Sequence, residues 1–450
     1  METKNFKHII KRDNTMVPFT PVRITNAIYR AAISVGGHDL KTAEYLTGKV
    51  IHYLEQTIKD DRVPHVEDIQ DAIEKVLIEN GHAKTSKSFI LYRNQRAASR
   101  QEKEMAGYTH RPQDTIPWKK IWDSLNWAID HQVHNVYGLN KRVVDGSFPE
   151  LIRECEESYQ LEIARASDTI LRRRDEIRFV IVAGPSSSGK TTSTIKISEH
   201  LKNEGFEFIP YHVDNYFFDL VAHPQDEHGD YDYETPEALD LELLNRHLKE
   251  IYEGKEVHPP YFNFKSGKRE GTSQPIHLDK GQILLIDSLH GLDERMTSGI
   301  PADAKARLYI EPLLQMRTND GNYIRWTDIR LIRRIVRDKR ERNVMPDQTL
   351  LHWHYVRRSD LRYIIPNINS ADYIINSSLP YELAIWSSYI KDIFREWTDK
   401  YADDKDHIDA ARRSERVYRL LNDITPWKDE SIIPPCALLR EFIGGSLYSY

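Results

Sequence analysis

The stretch Ile181-Val182-Ala183-Gly184-Pro185-Ser186-Ser187-Ser188-Gly189-Lys190-Thr191-Thr192 decides how the chain is read. It satisfies G-x-x-x-x-G-K-[ST] at every required position, with an apolar strand pattern leading in and a helical pattern, Thr192 to Leu201, leading out. The residue types follow from the chemistry. Glycines let successive backbone N–H groups converge on phosphate oxygens, and the start of the helix adds its positive dipole end. Gly184, Ser186, Ser187, Ser188, Gly189, Lys190, Thr191 and Thr192 are therefore the expected cradle for ATP. Lys190 is expected to reach the β- and γ-phosphates and the Thr191 hydroxyl to coordinate Mg²⁺. A carboxylate at the end of a later apolar strand should hold water of the metal's shell, and Ile283-Leu284-Leu285-Ile286-Asp287 supplies one.

Outward from this motif, short apolar runs recur at Ile177–Ala183, Phe206–Val213, Ile283–Asp287, Arg307–Glu311 and Asp372–Asn376. Helical segments separate most of them, the pattern of a doubly wound, mainly parallel α/β sheet. Leu383 to Asp423 reads as helical and the tail from Ile432 to Tyr450 as irregular. Upstream, Phe6 to Arg96 opens with two short strand-like runs around a turn at Arg12-Asp13-Asn14. Helices are predicted over Val22–Ser34, Leu40–Ile58, Val66–Asn80 and Lys84–Arg96. A charged stretch at Ser99–Glu104, with Gly107, Pro112 and Pro117, reads as a linker. Trp118 to Asp175 then reads as a helical connector. Its part from Pro149 to Arg174 alternates charge and is expected to be a solvated helix, while Trp118, Trp122 and Trp127 are expected to pack. The expected division is residues 1–100, 101–175 and 176–450.

Composition limits the function. A chain of 450 residues is too long for one compact domain. Lys plus Arg total 63 and Asp plus Glu 69, so the formal charge is 63 − 69 = −6, which argues against a general nucleic-acid coat protein. Only Cys155 and Cys436 could form a disulfide, so no disulfide framework or cysteine zinc site exists, consistent with a reducing compartment. No leader-like apolar run opens the chain and no stretch approaches the ~18 apolar residues of a membrane span. A cytoplasmic protein acting on neither membrane nor nucleic acid is expected.

Two regions bear on what accepts a phosphoryl group. Val213-Asp214-Asn215-Tyr216-Phe217 places an acid at the carboxyl end of a strand, where open α/β sheets put their ligand crevice and where a carboxylate can take a proton from an attacking hydroxyl. Tyr231 to Asp240 interleaves acids with aromatics, which suits vicinal hydroxyls and a base's π-face, although acidic loops with tyrosines are also common surface features. Arg325 to Arg342 carries eight basic residues against three acids. Arg330, Arg333, Arg334 and Arg337 fall at i, i+3, i+4 and i+7, a row of guanidinium groups that fits a lid closing over triphosphate. An RNA-contact helix is the lesser alternative. His223, Asp226 and His228, and the His352-Trp353-His354 pair, lack the further ligands a metal site needs.

The cradle, the Asp214-Asn215-Tyr216-Phe217 block, Tyr233–Asp240 and Arg333–Asp338 together resemble uridine kinase of the phosphoribulokinase/uridine kinase family, over about Ile177 to Leu383. The resemblance implies a P-loop NTPase kinase fold and transfer of the γ-phosphoryl of ATP to the 5′-hydroxyl of a nucleoside. It makes Asp214 the general base, Glu234 the ligand of the ribose diol, and Arg334, Arg337 and Arg342 lid arginines. Phe262 stands where the family has a substrate-pocket tyrosine, Gly267 where it has a histidine for the base, and Asp287 where the acid is usually Glu. The tail Leu439-Arg440-Glu441-Phe442-Ile443-Gly444-Gly445-Ser446 is similar to a longer bacterial branch of the family. A kinase of another small polyol or sugar phosphate, or a nucleotide-responsive regulatory ATPase, are the alternatives.

The N-terminal region has its own resemblance. Ile10-Lys11-Arg12-Asp13-Asn14, Val17-Pro18-Phe19, Arg23 to Ile28, Val66 to Asp71 and Tyr92 to Arg96 are similar to the ATP-cone domain of ribonucleotide reductases. The resemblance implies ATP or dATP bound as an effector, with Lys11, Arg12 and Arg23 (more usually Lys) at its phosphates. Coupling of such an effector to the kinase is expected to work through subunit association, so a homo-oligomer is expected.

Overall fold

The computed structural model describes residues 6–10, 16–37, 39–58, 62–91, 93, 116–220, 223, 235–264, 266–279, 281–342, 344–402, 404 and 407–449. They divide into two compact units. The first gathers the described residues within Met1–Gln113 together with Tyr216–Asp240 and Pro260–Gly271; the second holds Asp114–Asn215, Leu241–Pro259 and Thr272–Tyr450.

The first unit begins with an antiparallel pair, β1 (His8–Ile10) and β2 (Met16–Pro18), in the register Ile9 opposite Val17. Three helices follow, α1 (Pro21–Ile33), α2 (Leu40–Thr57) and α3 (Val66–Glu79), with residues 83–91 also helical. Their ends are marked in the sequence. Pro21 opens α1, Asp39 accepts from the Lys41 and Thr42 amides at the start of α2, and His65 with Asp68 forms a capping box on α3. Apolar residues at helical spacing make one core, including Ile24, Ile28, Leu46, Val50, Leu54, Ile73 and Leu77. Phe218 packs against this same core, so the segment after Asp214 is joined to the N-terminal helices.

The second unit is built on five parallel strands in the order β4–β7–β3–β8–β9, where β3 is Phe179–Ala183, β4 Glu207–Tyr211, β7 Gln282–Ser288, β8 Lys305–Glu311 and β9 Tyr373–Asn376; β5 (Pro260–Asn263) and β6 (Lys268–Thr272) form a separate two-stranded sheet. All five lie where apolar runs are read in the sequence. Beginning at β3, the chain reaches the edge at β4, fills the gap with β7, then crosses to β8 and β9. The winding reverses at β3, and ligands in such sheets sit at the carboxyl ends of strands around that reversal. β3 is fully buried along its length, as a strand covered on both faces must be.

Two expectations are corrected here. The helix Phe148–Leu171 is not solvated: Leu151, Ile152, Cys155, Tyr159, Ile163 and Ile170 are buried in the same core as the sheet, and its charges occupy the opposite face. Of the three tryptophans, Trp127 packs on that core, whereas Trp118 and Trp122 are 58% and 60% exposed. His352 and His354 lie on a helix, Pro346–Ser359, where a spacing of two points the rings apart. The tail lacks long elements, as expected, but Ile433, Leu438, Leu439 and Phe442 are core residues. No helix among the described residues is long and apolar enough to cross a membrane.

Candidate functional site

The loop leaving β3 has the geometry of an anion cradle. Gly184 has φ +155°, and a Cβ there would meet the Ile310 carbonyl oxygen at 2.3 Å; Gly189 has φ +91°, and a Cβ would meet Leu438 at 2.6 Å. Neither position admits a side chain. Ser187 adopts φ +60° without being glycine, local strain of the kind concentrated at functional loops. Its hydroxyl and that of Ser188 are buried with no hydrogen-bond partner among the described residues. Helix α4 of the site, Lys190–Asn203, begins directly after Gly189, so its first-turn N–H groups face the loop. Lys190 Nζ donates to the Pro185 carbonyl at 3.3 Å, folded back over the loop.

Asp287 and Glu441 lie close enough to this lysine to act on its charge. Val182 of β3 is paired in register with Asp287 of β7, and Tyr211 of β4 with Ile286. That places Asp287, the loop after β3 and the turn Val213–Tyr216 with exposed Asp214 at adjoining strand ends. Burial pushes the Asp287 carboxyl up to about 6; Lys190 opposes the rise, and the charges of Asp214 and Glu441 add to it. Burial draws the Lys190 ammonium below its ordinary value, while Asp287 and Glu441 work against the fall. A hydroxyl at Thr191 and carboxylate oxygens at Asp287 form a hard-oxygen donor set that fits Mg²⁺. Among the described residues no group of three or more His, Cys, Asp or Glu side chains could hold a metal by itself.

The basic helix, Trp326–Glu341, differs from the expected row of free guanidinium groups. Arg333 is fully buried and holds Glu382 with two bonds, Nε to Oε2 at 2.7 Å and Nη2 to Oε1 at 2.8 Å, plus the Ser377 carbonyl at 2.9 Å. Arg330 is equally buried, pairs with Asp360 and donates to the Ser186 carbonyl at 3.2 Å. These two are structural supports. Arg334, mostly buried, reaches the Ser186 hydroxyl at 3.1 Å, and Arg337 donates to Asp338 at 2.8 Å. Arg342 is 57% exposed, with Nη1 3.7 Å from Asp338. Sequence periodicity finds the face but does not separate the residues beneath it from those beside the cradle.

One residue missed as a site residue is Glu441, whose Oε2 accepts from the Thr192 amide at 3.2 Å and from its hydroxyl at 2.6 Å. The apolar pattern Leu438, Leu439, Phe442, Ile443 around it was the available signal for a buried tail.

In the first unit, Phe262 is 4% exposed and packs among Phe217, Phe264 and His223, with ring centroids 5.7, 5.1 and 6.5 Å away. Gly267 has φ +67° and its carbonyl accepts from the Leu220 amide at 2.7 Å. Arg269 braces this segment through the Tyr216 and Phe217 carbonyls at 2.6 and 2.7 Å. Arg23 is half-buried, and its Nε has no hydrogen-bond partner among the described residues. Lys11, Arg12, Glu234, Asp226 and His228 lie outside the described residues.

A parallel sheet whose winding reverses at the strand feeding a glycine-rich cradle, with acids at the neighbouring strand ends, defines a P-loop nucleotide-binding fold. Residues 179–383 match the Phosphoribulokinase / Uridine kinase family and residues 7–98 match the ATP cone domain. The uridine kinase of Brevibacillus brevis is 29% identical over 195 residues, 43% of this chain and 82% of that protein. The vitamin B12-dependent ribonucleoside-diphosphate reductase of Thermoplasma acidophilum is 46% identical over 106 residues, 22% of this chain and 13% of that protein's length. A solved structure described as a possible uridine kinase from Bacillus stearothermophilus superposes with a TM-score of 0.33 and 14% identity, covering 48% of this chain and 97% of that one.

Proposed function

We propose that the chain is an ATP-dependent nucleoside kinase of uridine kinase type, regulated by nucleotide held in its N-terminal module. The observation that carries the reading is the position of Asp287, whose carboxyl feels both Lys190 and Asp214, at the strand end beside the cradle strand. A sugar hydroxyl is a weak nucleophile. As its oxygen bonds to the γ-phosphorus of ATP and the bridging bond to ADP breaks, Asp214 takes its proton. Lys190, Arg334 and Arg337 offset the charge spreading over the phosphoryl oxygens. Thr191 and Asp287 would hold Mg²⁺, which supplies further charge neutralisation when bound. Arg334 and Arg342 would orient the acceptor.

The division of labour proposed is a sensing module in residues 1–100 and the kinase in 176–450, in a cytoplasmic homo-oligomer. Lys11, Arg12 and Arg23 would hold the effector phosphates; the buried, unpartnered Arg23 Nε supports an anion there.

ATP turnover with and without added nucleoside tests the reading: turnover should depend on the nucleoside. Asp214→Asn should cut kcat by roughly 10²–10⁴-fold with nucleotide affinity little changed. Acceptor-independent hydrolysis would favour the regulatory ATPase, and turnover only with a sugar phosphate would favour the other kinase class.

A further inference from the structure

The C-terminal segment places a carboxylate within the phosphate cradle. Glu441 is 5% exposed and Thr192 fully buried, and the two are joined by both Thr192 donors. Thr192 is the third residue of its helix, so its N–H is among the four that lack a partner inside the helix. In a glycine-rich loop leading to a helix, such donors are the ones that receive phosphate oxygens. Here an anion of the chain itself already occupies them.

Glu441 is not carried on a loose lid. Leu438, Leu439 and Phe442 are fully buried around it, and Leu438 lies against Gly189 closely enough to exclude a Cβ there. Arg440 ties the segment down through the Glu430 and Ile433 carbonyls at 2.7 and 2.8 Å, and the Arg333 guanidinium sits 5.2 Å from the Phe442 ring centroid. Releasing Glu441 would bring three fully buried apolar side chains into water, so the carboxylate stays while nucleotide comes and goes. Its charge is felt at both Lys190 and Asp287. Three carboxylates, Glu441, Asp287 and Asp214, therefore bear on a site that must admit a polyanion.

The geometry points to Glu441 as a fixed counter-anion of the cradle and a specificity-determining residue. It withholds the Thr192 donors from incoming phosphate and repels bare polyphosphate, so the site selects nucleotide whose charge is already offset by a divalent cation. The inference rests on reading Gly184–Thr192 as a nucleotide cradle.

The test is calorimetric binding to the full-length protein, using AMP, ADP and ATP with Mg²⁺ or with chelator. In the wild type, affinity should rise from AMP to ATP with Mg²⁺ and stay flat or fall with chelator. An equally steep rise in both series overturns the inference without need of a variant. Glu441→Gln keeps an oxygen for the Thr192 bonds and removes the charge; its affinity for metal-free ADP should rise about tenfold. Glu441→Asp keeps the charge and should leave metal-free binding weak. Unchanged or weaker metal-free binding in folded E441Q, or equal tightening in E441D, contradicts the role given to charge. Absence of Mg²⁺-ADP binding in wild type and E441Q alike would instead remove the cradle reading, and this inference with it.

Discussion

Arg333 and Glu382 offer the sharpest check on which arginines of the basic helix act on phosphate. Both side chains are fully buried, and the pair is bidentate at 2.7 and 2.8 Å. Glu382 also accepts from Trp386 Nε1 at 3.1 Å and from the Leu379 amide at 3.4 Å. Arg333→Met would leave that carboxylate buried without its cation, at a cost of about 3–5 kcal/mol. Glu382→Leu leaves a buried guanidinium and should cost a similar amount. The double variant removes both charges and should recover most of the loss, because two desolvated charges gain little over well-packed apolar groups. Urea unfolding followed by tryptophan fluorescence and circular dichroism reads all four corners of the cycle. The folded double variant should also retain substantial phosphotransfer. If R333M were as stable as the wild type yet lost phosphotransfer a hundredfold, Arg333 would be a guanidinium acting on the phosphoryl group, and its assignment as a support would be wrong.

Three further outcomes are expected. Lys190→Ala should abolish phosphotransfer with an unchanged circular dichroism melt, because the lysine serves charge at the cradle rather than packing; near wild-type turnover would contradict the cradle. His223 is fully buried, its Nε2 lies 2.8 Å from the Phe218 carbonyl, and burial holds its pKa at about 4. Since this lies below the ordinary 6.5, the unfolded chain takes up the proton first: the stability is present above pH 6.5 and is lost as pH falls toward 4, by at most about 3 kcal/mol. Urea midpoints at pH 7 and 5 should show that slope, and His223→Gln, which can still donate to the carbonyl, should flatten it; an equal slope in the variant assigns it elsewhere. Lys11→Ala combined with Arg12→Ala should remove any shift of activity or oligomer size with ATP or dATP while Lys190-dependent turnover persists, and a double variant still responding to dATP places the effector elsewhere.

The sheet and cradle were legible because their signals are local. A buried parallel strand reads as a continuous apolar run, and the glycine–lysine spacing from Gly184 to Thr191 fixes its own backbone. The helices of the first unit were legible for the same reason, from apolar residues at helical spacing such as Ile69, Ile73, Val76 and Leu77. What failed depended on partners distant in sequence. Arg330, Arg333, Arg334 and Arg337 share one helical face, and nothing within that helix says that Asp360 and Glu382 neutralise the first two. The charge alternation of Phe148–Leu171 masks its apolar stripe, although Leu151, Ile152, Cys155 and Tyr159 stand at helical spacing. Glu441 follows Thr192 by 249 residues and could be placed on the cradle only by the fold.

Everything proposed for the site depends on transfer of a phosphoryl group from ATP to a nucleoside. Mass spectrometry of the products from a panel of nucleosides and sugar phosphates, each incubated with the full-length protein, ATP and Mg²⁺, tests it most directly. A nucleoside 5′-monophosphate should form in step with ADP and be lost with Asp214→Asn. ADP and free phosphate released at the same rate whatever the acceptor, with no phosphorylated product, would contradict it.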